Sequence, residues 1–247
     1  TEPEEEEKTR LDGLDDPGRM YLKQMGQVPL LTRAQEVAIS KRIEDAETEV
    51  RRIIYGLGFT GKEHLALADK LTCEPPRERF DRIVVDQKAE YRETYLRSLH
   101  RVMRSVRKLD AQVDKQFAGW QNATSKPRRA TAFRAFKQLD SQLQAKFRKF
   151  FYKHKVVEEM TLVAENIHDK IQLSCRTIAE LERHDPAQQH QAIIESERRK
   201  IRALEEFVRL PSQDFLNAYH QLKLFTARAN EAKTEMVEAN LRLVISI

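Results

Sequence analysis

Glycine is what this chain has least of where it matters. Of seven glycines among 247 residues, six lie at or before Gly61, so beyond that point only Gly119 loosens the backbone and long helices are easy to sustain. Cysteine is almost as rare. Cys73 and Cys175 stand about a hundred positions apart and belong to no Cys-x-x-Cys or Cys/His pattern, which argues against a zinc site or a disulfide framework and for a reducing, cytoplasmic setting. No apolar run approaches the roughly 18 residues of a membrane span. The opening TEPEEEEKTR is acidic where a signal peptide is basic and then apolar, so the expectation is a protein neither exported nor inserted. Strand-like alternation is missing over more than a few residues anywhere. Also missing are a glycine-rich phosphate loop and any Ser/His/Asp or Cys/His order suited to a nucleophile.

What is present is charge and helical periodicity. Charged residues make up 34% of the chain, and the net charge of +5 hides an asymmetry: residues 1–16 carry −6 and the remainder +11. Residues 1–15 hold little that is apolar beyond Leu11 and Leu14 and read as a disordered acidic linker. Residues 101–155 carry fifteen Lys/Arg against three Asp, a candidate electrostatic footprint for a polyanion.

Helix signals follow in order. Asp16 and Pro17 suit an N-cap and first turn, with Met20, Tyr21 and Met25 as an apolar face and Gly26 as the stop. Thr32 and Gln35 form a capping box before Val37, Ile39, Ile43 and Val50, and Gly56 ends that helix. A third helix is predicted over KEHLALADKL, residues 62–71. After Pro75-Pro76 a long one is predicted from about Glu78 to Ala118. Pro127, Pro186 (behind Asp185 as N-cap) and Pro211 (ahead of Ser212 as N-cap) mark further helix starts. The fold class expected is all-α: an antiparallel multi-helix bundle with several long helices and no sheet.

Two constellations have a chemical reading beside a plain one. Phe133, Phe136, Leu139 or Asp140, Leu143, Phe147 and Phe150 are interleaved with Lys and Arg, but recur every three or four residues, which is a core stripe with a basic outer face. Glu165 and His168 form an E-x-x-H pair of the kind found in di-iron bundles, and the second copy that chemistry needs is absent from the sequence. No metal, cofactor, small-molecule substrate or catalytic residue is expected, and the chain is not read as an enzyme. Val156, Met160, Val163, Ile167 and Ile171 are generic bundle core, and on such helices alone the reading is a helical scaffold protein.

Two separated stretches alter that reading. DPGRMYLKQMGQVPLLTRAQEVAISKRIE, residues 16–44, resembles region 1.2 of the primary sigma factors of the sigma-70 family, and AKTEMVEANLRLVISI, residues 232–247, is similar to the start of that family's region 2.1. The resemblance implies one domain from residues 16–55 and 231–247, with 56–230 as a helical insert in the place of the family's non-conserved region. It implies a piece cut from a longer initiation factor, whose partners would be core RNA polymerase and promoter DNA, chiefly the single-stranded non-template strand. Residue by residue, Glu36, Asn240 and Leu243 lie where the family holds the last flipped thymine of the minus-ten element. Leu22 and Leu30 correspond to a pocket for the next purine, in the discriminator. Arg19, Tyr21 and Lys23 lie where the family approaches that strand's backbone and bases.

Overall fold

A computed structural model of the chain describes residues 31–184 and 190–245. Among these residues every long element is helical, and there is no β-strand. The helices are α1 (Arg33–Tyr55), α2 (Thr60–Thr72), α3 (Phe80–Ile83), α4 (Arg92–Gln121), α5 (Lys126–Phe147), α6 (His154–His184), α7 (Gln191–Val208) and α8 (Ser212–Ile245), with 3-10 turns at Asp86–Lys88 and Arg148–Phe150. The helix predicted from Asp16 and the Asp185-Pro186 start lie outside the described residues. The chain divides into two compact units: residues 1–47 with 226–247, and residues 48–225.

Local signals explain most boundaries. The capping box forms as expected: the Thr32 amide donates to Gln35 Oε1 at 2.8 Å, and the Gln35 amide donates back to Thr32 Oγ1 at 3.3 Å. Helix α1 then stops at Tyr55, immediately before Gly56. Pro127 occupies the first turn of α5, where its missing N–H costs nothing. At the start of α8 the outcome differs in detail from the sequence expectation. Ser212 is the first helical residue, not the cap; its amide donates to the Glu205 carboxylate at 2.6 Å, and the Pro211 carbonyl accepts from Phe215.

The long helix expected from Glu78 to Ala118 is a correction. Helix α3 ends after one turn, and α4 does not begin until Arg92. Between them the chain pairs with a distant segment: Val84 forms an isolated bridge with Tyr152, the Val85 amide donates to Phe151 O at 3.0 Å, and the Lys153 amide donates to Ile83 O at 2.8 Å. Ile83-Val84-Val85 is a β-branched run, and Val84 is fully buried in extended geometry. Tertiary pairing thus overrides helical propensity here.

Helices α4 and α5 form an antiparallel hairpin in the larger unit. Its open end is tied by the Tyr95 hydroxyl, which donates to Phe150 O at 2.6 Å, and its closed end by Trp120 against Phe133, with ring centroids 5.2 Å apart. Phe136, Leu143, Phe147 and Phe150 are buried as the spacing predicts, and of the pair Leu139/Asp140 it is Asp140 that is buried. Burial pushes the Asp140 carboxyl up, against the pull of Lys137 and of the Gln144 amide at 2.9 Å. Phe133 departs from the stripe: it is 39% exposed and rests on Trp120. The interleaved Arg128, Arg129 and Arg134 are exposed, so the basic outer face is present. Val37 also falls off its predicted stripe, because it lies about 200° around the helix from Ile39; Ile39 is buried and Val37 is 48% exposed.

A buried ionic node closes the same unit. Arg209, at the end of α7, has a left-handed backbone (φ 55°) and is 2% exposed. Its Nε donates to Asp114 Oδ1 and its Nη2 to Asp110 Oδ1, both at 2.7 Å. Burial works against the guanidinium's charge, but the two carboxylates outweigh it and raise the pKa. Glycine is required beside the node. A Cβ at Gly58 would lie 2.6 Å from Arg209 Cγ and 2.7 Å from Phe207 O, and one at Gly61 would lie 2.6 Å from Asp110 Oδ1.

Candidate nucleic-acid interface

In the smaller unit, the described structure is the first part of α1 and the last part of α8. The buried positions are small or isolated: Ile39 and Ala46 on α1, and Ala229, Ala232 and Ala239 on α8. Alanine leaves little apolar area to bury, so hydrophobic burial fixes this pair only weakly. Charge supplies the register. Arg42 Nη1 meets Glu235 Oε2 at 2.7 Å, and Lys233 Nζ meets Glu47 Oε1 at 2.8 Å. As the α1 number rises the α8 number falls, so the helices run antiparallel.

That register brings two sequence-predicted residues to one level. Glu36 lies six residues before Arg42, about 9 Å along α1, and Asn240 five residues after Glu235, about 7.5 Å along α8. Both therefore stand at the same end of the pair. Glu36 sits in the first turn of α1, where the exposed amide ends favour an anionic side chain. It is half-buried and Asn240 is exposed. Among the described residues no group hydrogen-bonds either side chain. A carboxylate supplies acceptors only, and an amide supplies both a donor and an acceptor edge, so together they can read the polar edge of an unpaired base. Two large apolar side chains, Val237 at 56% and Leu241 at 43%, are exposed on the same stretch of α8.

Leu243 belongs to α8. The remaining predicted contacts, Arg19, Tyr21, Leu22, Lys23 and Leu30, lie outside the described residues. The ion-pair residues Arg42, Glu47, Lys233 and Glu235 were not singled out by sequence reasoning. Arg42 and Glu235 are 193 positions apart, and no local spacing announces such a pair.

The E-x-x-H pair has a structural use. Glu165 Oε1 accepts from the Tyr219 hydroxyl at 3.2 Å and lies 3.2 Å from Lys223 Nζ, while the His168 ring stacks on Tyr219 with centroids 4.2 Å apart. Both residues are thus occupied in joining α6 to α8. His64 is also internal. Its Nδ1 meets Thr60 O at 2.9 Å, and Tyr55, Phe147, Phe150 and Tyr152 surround the ring. Burial drives its pKa down to about 4, against the small upward effect of that hydrogen bond.

Comparison with known proteins bears on the α1 end of the pair. Residues 16–48 match the family model for Sigma-70 factor, region 1.2. The chain is similar to the RNA polymerase sigma factor RpoD of Neisseria gonorrhoeae, with 40% identity over 75 residues, which is 30% of this chain and 11% of that protein. It is also similar to the RNA polymerase sigma factor SigA of Listeria monocytogenes, with 50% identity over 38 residues, or 15% of this chain and 10% of that protein. A SigA from a Bacillus species is 49% identical over 39 residues, 16% of this chain and 10% of the relative. The chain thus spans about a tenth of the length of the curated relatives it matches. The family-model match ends at residue 48, so the likeness of 232–247 to region 2.1 rests on its own sequence.

Proposed function

Because the chain carries region 1.2 of the sigma-70 factors at residues 16–48, we propose that it acts within a bacterial transcription initiation factor that directs core RNA polymerase to housekeeping promoters. It works by binding, not by catalysis. Residues 16–55 and 231–247 form one domain, and 56–230 are a helical insert. The domain's surface receives the melted non-template strand at the end of the minus-ten element and in the discriminator. Glu36, Asn240 and Leu243 hold the last flipped thymine; the amide and carboxylate meet its polar edge and the leucine walls the pocket. Leu22 and Leu30 accept the following purine, and Arg19, Tyr21 and Lys23 follow that strand's backbone and bases.

The observation that supports this reading most is the coincidence of Glu36, inside the matched stretch, with Asn240 at the same level of an antiparallel pair. Two residues about two hundred positions apart are thereby available to one nucleotide. The test uses the full-length factor with core polymerase. Glu36→Ala and Asn240→Ala are each expected to weaken the open complex by about 1–3 kcal/mol, the scale of one base-reading contact. Open complexes as stable as wild type in both variants would remove the pocket assignment.

A further inference from the structure

A cleft of about 830 Å³ in the larger unit is not accounted for by promoter reading. It opens between the last two turns of α1, the end of α5 and the segment 148–154. Its volume lies in the range of small-ligand sites. Four Lys/Arg side chains line it and no Asp or Glu does. Two of the four are already neutralised: Arg52 by Glu49 at 2.8 Å and Lys153 by Asp86 at 2.6 Å. Arg51 and Arg148 have no acidic partner among the described residues. Both are close enough to the phenol of Tyr55, on the cleft wall, to pull against the upward push that burial gives its pKa.

The cleft also exposes an aromatic ring. Phe151 is 43% exposed and sits on a left-handed backbone (φ 52°), an unusual conformation for a bulky residue, which turns the chain directly after the 3-10 turn. It is held there by its own backbone bonds, the amide to Arg148 O and the carbonyl to the Val85 amide, and the Lys88 ammonium lies 4.3 Å from its ring centroid, so a base has to share the ring with that cation or displace it. A surplus of two positive charges matches a terminal phosphate, which carries about −1.5 to −2 near neutral pH. Arginine forks suit phosphate oxygens, and an exposed ring suits a base.

We infer that this cleft is a nucleoside-phosphate site, in which Arg51 and Arg148 clasp a terminal phosphate and Phe151 stacks on the base. The assignment is independent of the promoter-strand reading. Two sources carry the same chemistry, a free mononucleotide and the 5′-phosphorylated end of a single strand. Calorimetric titration of the 247-residue chain with AMP, adenosine and an oligothymidylate with and without a 5′-phosphate tests it. AMP or the phosphorylated strand is expected to bind at least about tenfold more tightly than adenosine or the unphosphorylated strand. Whichever of the two binds more tightly identifies the source. Arg51→Ala and Arg148→Ala are each expected to weaken binding about tenfold, as for loss of a charge-assisted hydrogen bond. Phe151→Asn, which suits the left-handed backbone but removes the ring, should weaken it to a similar degree. Arg176→Ala, an exposed arginine on α6 outside both the cleft and the basic stretch 101–155, should leave it unchanged. The inference is overturned if neither phosphate ligand binds at millimolar concentration, or if the cleft variants melt and bind as wild type does.

Discussion

The two units are held by opposite means. Residues 48–225 bury a continuous apolar cluster that includes Phe59, Phe117, Phe150 and Phe215, and they spend a buried arginine and two close-packed glycines fixing how the helices meet. The described part of the smaller unit buries one isoleucine and a few alanines, and its register is set by two ion pairs that water reaches. The difference teaches where specificity of structure and availability of surface have been placed. A unit whose core is aromatic can tolerate a cationic exterior. A pair of helices fastened by small residues and surface charges keeps Glu36, Asn240 and the exposed Val237 and Leu241 on its outside, where a ligand can meet them.

Four measurements would break or sharpen this contrast. The largest effect is expected at Arg209. Arg209→Ala leaves the Asp110 carboxylate buried without its cation and should cost about 3–5 kcal/mol in denaturant unfolding of the larger unit. A loss below 1 kcal/mol would show that the node contributes little to holding α7 on α4.

Next comes pH. His64 is buried as the neutral imidazole with a pKa of about 4 against an ordinary 6.5, so on acidification the unfolded chain takes up the proton first. Its contribution is complete above pH 6.5 and is lost progressively between pH 6.5 and 4, by about 3 kcal/mol in all. His64→Gln should flatten that part of the stability profile, and an unchanged slope would assign it to other groups.

The smaller unit should respond weakly and locally. Thr32→Ala removes half of the capping box and is expected to cost about 1 kcal/mol, read as faster hydrogen exchange in the first turn of α1 with no shift in the main unfolding transition. A global shift would mean that the two units unfold together. Smallest of all, a double-mutant cycle on Arg42 and Glu235 should give a coupling of no more than about 1 kcal/mol that fades with salt. A larger, salt-insensitive value would contradict the view of this pair as loosely fastened.

Much of the fold was legible because its signals are local. Thr32 with Gln35, Gly56, Pro75-Pro76 and Pro127 each mark a boundary through bonds made or forbidden within four residues of themselves. The apolar intervals of α5 and α6 likewise picked out Phe136, Leu143, Phe147, Val156, Met160 and Ile171 as core. The Glu78–Ala118 helix failed for the opposite reason. Its interruption is caused by Tyr152 and Phe151, some seventy residues away, and no window of sequence around Val84 contains them. Phe133 was misplaced because the periodicity of a helix gives a face but not where its partner ends, and Val37 because it stands about 200° around α1 from Ile39.

The candidate interface divides in the same way. Glu36 and Asn240 could be named from the sequence because residue type and motif carry their chemistry. That they stand at one level depends on Arg42 meeting Glu235, a contact between segments far apart in the chain. The cationic cleft was invisible for a related reason: Arg51 and Arg148 are ordinary members of charged stretches until the fold leaves them with no acid among the described residues. The sequence alone determined helical class, the helix ends marked by local caps and breakers, and the family likeness of residues 16–48, since these depend on short-range bonding and side-chain identity. Tertiary structure alone decided which charges are matched, which histidine is kept neutral and which distant residues share a face, because those depend on distances in space that chain order does not encode.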